Sequence, residues 1–141
     1  MILLDTNVIS ELVRVDPDAR VIAYVGNLAP ETVFTAAVCL AEIRYGLARM
    51  PGGRRRDDLT IRLTTFFEAG FQDQILPFDA PCATLYGDIR YSREAAGKPI
   101  TVEDAMIAAT ARAYDVQAVA TRNTKDFTDC GVRLIDPWQA P

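Results

Sequence analysis

An α/β fold built on a parallel sheet is predicted by three features of the sequence. Short apolar runs alternate along the chain with longer amphipathic stretches. The first run, Met1-Ile2-Leu3-Leu4, is apolar at every position, as a strand buried on both faces requires. At 141 residues and 50% hydrophobic, the chain has the size of one ordinary domain that buries a core without disulfides or a structural metal, so residues 1–141 read as a single domain. The alternation then places helices on both faces of one sheet.

Asp5-Thr6-Asn7 follows the first strand, and Thr6 or Asn7 can cap a helix over Val8 to Val13, which must end before Asp16-Pro17. A second helix is expected over Ala19 to Asn27, and Thr32-Val33-Phe34-Thr35 reads as the next strand. Ala36 to Arg49 is helical with apolar or small residues nearly all round, so most of it is expected to be buried. Pro51-Gly52-Gly53-Arg54-Arg55-Arg56-Asp57-Asp58 reads as an exposed loop. Beyond it, Leu59, Leu63, Phe66 and Phe67 fall on one helical stripe, which suits the core better than a partner groove.

Ile75 to Phe78 is a short strand, and Asp79 caps a helix whose face is Cys82, Leu85, Tyr86 and Ile89, ending near Gly97. Thr101 caps an alanine-rich helix to about Ala113 that can lie close to a neighbouring backbone. Gln117 to Ala120 is a strand, Thr121 to Phe127 a loop or short turn, and Val132 to Ile135 a last strand.

Composition removes several function classes. The three cysteines, at 39, 82 and 130, are odd in number and widely spaced, which argues against a disulfide framework or a zinc knuckle. No basic segment precedes the acid at position 5, so the start does not read as a signal peptide, and no apolar run approaches the roughly 20 residues of a membrane span. A cytoplasmic protein is expected. The absence of histidine eliminates zinc hydrolases, Ser-His-Asp triads and paired-histidine ribonucleases together. What remains for hydrolysis is carboxylate chemistry, whose oxygens suit magnesium or manganese.

Four separated acids land on strand ends or helices that a sheet of this kind would bring to one edge, and ligands gather there at the carboxyl ends of the strands. Asp5 ends the first strand, although a turn or cap aspartate is common there. Glu42 lies inside an otherwise apolar helix, where an unpaired carboxylate costs several kcal/mol; it needs a cation, a cleft, or an ion pair with Arg49 on the same face. Asp104 sits three residues after Thr101, where a capping role serves equally well, and Glu103 points about 100° away as a solvated acid. Asp126 follows the strand at Ala118 to Ala120, but Asn123 can present the neutral oxygen instead, and the alternative for Asp126 is an ordinary turn. Thr6 and Thr121 are natural hydrogen-bond partners for these carboxylates. Such an acidic pocket is stable only with a divalent cation or shared protons.

These residues resemble the PIN-domain nucleases, and especially the VapC-type toxins of bacterial toxin–antitoxin operons. The resemblance runs from Leu3-Leu4-Asp5-Thr6-Asn7-Val8-Ile9-Ser10-Glu11-Leu12 through Ala41-Glu42-Ile43-Arg44-Tyr45-Gly46 and Asp104-Ala105-Met106-Ile107-Ala108-Ala109-Thr110-Ala111 to Thr121-Arg122-Asn123-Thr124-Lys125-Asp126-Phe127. The ending Asp136-Pro137-Trp138 is similar to that of the FitB-like members. The resemblance implies a three-layer α/β/α sandwich with a central parallel sheet and places Asp5, Glu42, Asp104 and Asp126 at the family's acidic positions, the fourth motif being its most variable. It also implies hydrolysis of RNA with Mg2+, for which Mn2+ can substitute, Asp5 and Asp104 being the principal ligands. Products with a 5′-phosphate and a 3′-hydroxyl, a homodimer, and silencing by a VapB-type antitoxin in a hetero-oligomer are implied as well.

Arg44, Arg122 and Lys125 are candidates for phosphate contacts, as are Arg49 and Arg54 to Arg56, although that last run also reads as a plain solvated loop. A net charge of −4 is a weak objection, because removing the four acids from the 19 leaves 15, matching the 15 basic residues. The main competing reading is a binding or regulatory module of the same fold with little catalysis. An aspartyl-phosphate protein fits less well, since Asp5-Thr6-Asn7 lacks the Asp-x-Asp of the phosphatases and Lys98-Pro99 follows a helix, not a strand.

Overall fold

The computed structural model describes residues 1–139. Five strands, β1 (Ile2–Leu4), β2 (Val33–Ala36), β3 (Ile75–Leu76), β4 (Ala118–Ala120) and β5 (Leu134–Ile135), form one parallel sheet in the order β3-β2-β1-β4-β5. Six helices connect them: α1 (Thr6–Leu12), α2 (Ala19–Gly26), α3 (Ala37–Arg49), α4 (Arg54–Gly70), α5 (Ala80–Ala95) and α6 (Val102–Ala113). The α/β class and the parallel sheet with helices on both faces agree with the sequence reading.

Strand alternation divides the core in two. Leu3 and Val119 point to the face covered by α5 and α6, where Ile89, Ile107 and Ala108 pack. Ile2, Leu4, Ala118 and Ala120 point to the other face, against Val8, Ile9, Ile43, Leu47 and Leu63 from α1, α3 and α4. Because β1 is central and shielded on both sides, it carries no polar residue until Asp5. The alanines of α6 let it pack closely on α5 and on the sheet.

Four local expectations change. The cap of α1 is Asp5 itself, whose carboxylate accepts from the Thr6 amide at 2.7 Å, and the helix starts two residues earlier than expected. Helix α3 is amphipathic, not mostly buried: Val38, Cys39, Ile43 and Leu47 face inward, while Ala41, Arg44 and Tyr45 are exposed, Tyr45 by 65%. Alanine and glycine are indifferent to burial, so their abundance overstated the buried face. The arginine-rich segment is loop only as far as Gly53, because Arg54 opens α4. Arginine is a good helix former, and Asp57 in the first turn complements the helix dipole. Strands β3 and β5 are each two residues long, shorter than expected.

All three cysteines are buried and unpaired, and burial pushes the Cys39 thiol up to about 12, so it stays protonated. Among the described residues, no helix is long and apolar enough to cross a membrane.

Candidate active site

The sheet order sets the place of the site. From β1 the chain moves outward to β2 and β3, then returns across β1 to β4 and continues to β5. The carboxyl ends of β1 and β4 therefore flank the switch point, where open α/β sheets leave a crevice. Asp5 follows β1 and Thr121 follows β4, and the two are tied together: Thr121 Oγ1 donates to Asp5 Oδ2 at 2.8 Å.

Asp5 is 4% exposed and accepts two further hydrogen bonds, from the Thr6 amide and from Asn7 Nδ2 at 3.1 Å. Burial nevertheless pushes its carboxyl above the usual range, against the pull of those donors. Asn7 is a connector that single-residue reasoning passed over. Its amide also reaches Thr121 Oγ1 at 3.3 Å, and its Oδ1 accepts from the Arg122 amide at 3.1 Å, locking the turn after β4 to the start of α1.

Asp5, Glu42 and Asp104 line one open cleft of about 530 Å³, together with Thr6, Asn7, Arg14, Arg122, Asn123 and Trp138. Glu42 projects from α3 and is half-buried; its Oε1 and the Thr6 Oγ1 are buried with no hydrogen-bond partner. The anticipated pairing with Arg49 is not made, since that guanidinium sits 5.5 Å from the Tyr45 ring centre. Burial, then the charges of Asp5, Asp104 and Glu103, push Glu42 up to about 7, against a small opposing pull from the nearby Thr6 hydroxyl, which does not meet the geometry of a formed hydrogen bond. Asp104 is carried into the cleft by the first turn of α6, where the Thr101 hydroxyl accepts from the Asp104 amide at 3.2 Å and so caps the helix. Burial first, with the charges of Asp5, Asp126 and Glu103 adding to it, pushes Asp104 up to about 6.

Asp126 lies in a 3-10 turn, Thr124–Phe127, and is exposed. It is outside the residues lining the cleft, whereas Asn123 is among them. Arg44 and Lys125 are exposed and also outside it, so of the phosphate candidates only Arg122 lines the acidic cleft. Arg54 and Arg55 line an adjoining groove, and Arg56 donates to the Met50 carbonyl at 3.4 Å. The sequence reading also missed Arg93 of α5. This residue, 5% exposed, donates to the carbonyls of Lys98, Asp126 and Thr128 and so fastens the turn that bears Asp126.

Among the described residues, no three acidic or cysteine side chains stand close enough to enclose an ion. The acids share the cleft as separated like charges. Their donor set is nonetheless hard oxygen throughout, with three carboxyls pushed up and one carboxylate oxygen buried without a partner, which is the chemistry a divalent cation relieves.

Carboxylates brought to the switch point of a parallel sheet, in a chain without histidine, define an α/β domain whose chemistry rests on acidic oxygens. The chain belongs to the PIN-domain family, which matches residues 2–131. It is 42% identical over 138 residues to the Toxin FitB of Neisseria gonorrhoeae, covering 98% of this chain and 99% of that one. It is 41% identical over 139 residues to the VapC ribonuclease Y4jK of Sinorhizobium fredii, covering 99% of each. The crystal structure of FitAcB from Neisseria gonorrhoeae matches with a TM-score of 0.90 at 41% identity, over 99% of this chain and 100% of that chain.

Proposed function

We propose that this chain is a magnesium-dependent endoribonuclease and the toxic member of a toxin–antitoxin pair, with residues 1–141 working as one domain in the cytoplasm. The observation that carries the reading is the convergence of Asp5, Glu42 and Asp104 on one cleft, with a Glu42 oxygen buried and unpartnered. Relatives named as a VapC ribonuclease and a toxin, each matched along nearly the whole chain, support the substrate and the biological role.

Asp5 and Asp104 would hold the cation, with Asn123 or Asp126 supplying a further oxygen, and Mn2+ substituting for Mg2+. When bound, the ion neutralises phosphate charge and lowers the cost of forming a nucleophile from water. Thr121 and Asn7 keep the Asp5 carboxylate in one orientation through their hydrogen bonds. Glu42 Oε1 is the oxygen left to accept a proton from the attacking water, consistent with a carboxyl poised near neutrality. Attack by water yields a 5′-phosphate and a 3′-hydroxyl. Arg122 contacts RNA phosphate from the rim of the cleft, and Arg44 and Lys125 lie farther out along the strand.

A second groove, of about 910 Å³, shares Thr6, Ser10, Arg14 and Glu42 with the acidic cleft and runs over Val13, Ile43, Leu47 and Leu63. It suits the apolar segment of an antitoxin entering beside the acids. Homodimerisation rests on the family resemblance.

The test is incubation of purified protein with mixed cellular RNA in magnesium, in EDTA, and as Asp5→Ala. Cleavage that needs both the metal and Asp5 supports the reading. Magnesium binding without cleavage, together with tight capture of a partner peptide, would favour a regulatory module instead.

A further inference from the structure

Arg122 is the one cationic side chain at the acidic cleft, among the described residues, that joins no carboxylate. Arg14, the other arginine there, pairs with Glu11 at 3.3 Å. Asp18, whose carboxyl feels the Arg122 charge, is already gripped by Arg20 through contacts of 2.7 and 3.0 Å. The Arg122 guanidinium instead lies over the Trp138 ring, 5.0 Å from its centre.

That seat is itself fixed. Trp138 is 6% exposed and packs in the core on the α1 and α4 side of the sheet. Its amide donates to Asp136 Oδ1 at 2.9 Å, which holds the turn after β5. At the other end, the Arg122 amide is bound by Asn7, which also bonds Asp5. A guanidinium held over an aromatic ring by cation–π attraction spends none of its N–H groups on an ion pair, so they remain available for a bidentate anion. An ion pair would have consumed those donors.

We propose that Trp138 is a positioning residue that holds Arg122 as a preformed phosphate fork at the rim of the cleft, gripping a backbone phosphate of the RNA beside the bond to be cut. The inference rests on the ribonuclease reading and assigns a role to an otherwise unexplained buried tryptophan. The grip binds ground state and transition state alike, so its loss falls on KM and leaves kcat nearly unchanged.

The experiment is steady-state cleavage of a fluorogenic mixed-sequence RNA oligonucleotide at saturating magnesium by wild type, Arg122→Met, Trp138→Leu, Trp138→Phe and the double variant Arg122→Met/Trp138→Leu. Arg122→Met should raise KM about fivefold or more and reduce the slope of log KM against log salt by about 0.7, the value for one phosphate contact on a single strand. Trp138→Leu should raise KM about two- to fivefold, the size of an exposed cation–π contact, and Trp138→Phe should recover part of it. In the Arg122→Met background, Trp138→Leu should change KM no further. Arg122→Lys, which does not disturb the core, should keep the salt slope while raising KM, because a point charge replaces the fork. Multiplicative effects of Arg122→Met and Trp138→Leu, or an unchanged KM in Arg122→Lys, would overturn the proposal while cleavage by wild type leaves the nuclease reading standing. Absence of cleavage by wild type counts against that reading itself; binding of the same oligonucleotide unaltered by Arg122→Met would then overturn this proposal too.

Discussion

Replacing Glu42 with glutamine should raise the stability of the metal-free protein while abolishing most of its activity. The carboxyl is pushed from an ordinary 4.5 up to about 7, by burial first and then by Asp5, Asp104 and Glu103. Taken at face value such a shift is worth about 3 kcal/mol, but the group is half-buried and solvent screens it, so about 1 kcal/mol is the realistic cost of its charge at pH 8. Glutamine keeps the shape and removes the charge, so the thermal midpoint in EDTA at pH 8 should rise by about 2–4 °C. At pH 3.5, below the ordinary 4.5, the carboxyl is protonated in the folded and unfolded chains alike, and the two proteins should melt nearly together. Cleavage at saturating magnesium should fall by about a hundredfold or more, as for the loss of a general base. Melting curves at the two pH values beside single-turnover cleavage decide the matter. A glutamine variant that melts lower at pH 8, or whose gain is the same at pH 3.5, would refute the reasoning and make Glu42 a structural residue.

Three further outcomes follow from the same physics. Because Asp5, Glu42 and Asp104 all have raised folded-state values, their protonated forms favour the fold, so stability in EDTA is fully present below the ordinary carboxyl range and is lost as pH rises through about 6 and about 7. Melting in EDTA should therefore drop between pH 5 and pH 8, and magnesium should restore it at pH 8. Arg93→Met should cost at least about 2 kcal/mol in a urea titration, because the Asp126 and Thr128 carbonyls lose a charged donor. Leu3→Ala, at a fully buried position in the central strand, should cost about 2–5 kcal/mol in the same assay, whereas Tyr45→Ala on the exposed face of α3 should stay within about 0.5 kcal/mol.

The parts of this fold legible in the sequence are those whose signal is local. Strand β1 announced itself because a strand shielded on both faces has no polar positions to alternate. Thr101 and Asp79 were readable as caps because a cap acts within three residues, and Glu42 stood out as a carboxylate in apolar company. What escaped is carried by distant pairs. Asn7 bonds Thr121 across 114 positions, and Arg93 clamps a turn more than 30 residues away; neither leaves a periodic or short-range trace. Trp138 was visible only as part of a resembling ending, since its partner Arg122 meets it through the packing of the sheet edge. The burial of α3 was overestimated for a different reason: alanine and glycine fit inside or outside a protein, so hydrophobic counting assigns them a side they do not choose.

The central claim, that the acids after β1 and at the start of α6 form a divalent-cation site, is tested most directly by calorimetric titration of the protein with magnesium at pH 7.5 in buffers of different ionisation enthalpy. The account predicts saturable binding that is lost in Asp5→Asn and in Asp104→Asn, accompanied by proton release, because carboxyls held partly protonated near neutrality must ionise to receive the ion. Binding that survives both substitutions, or no binding by the intact protein, would contradict it.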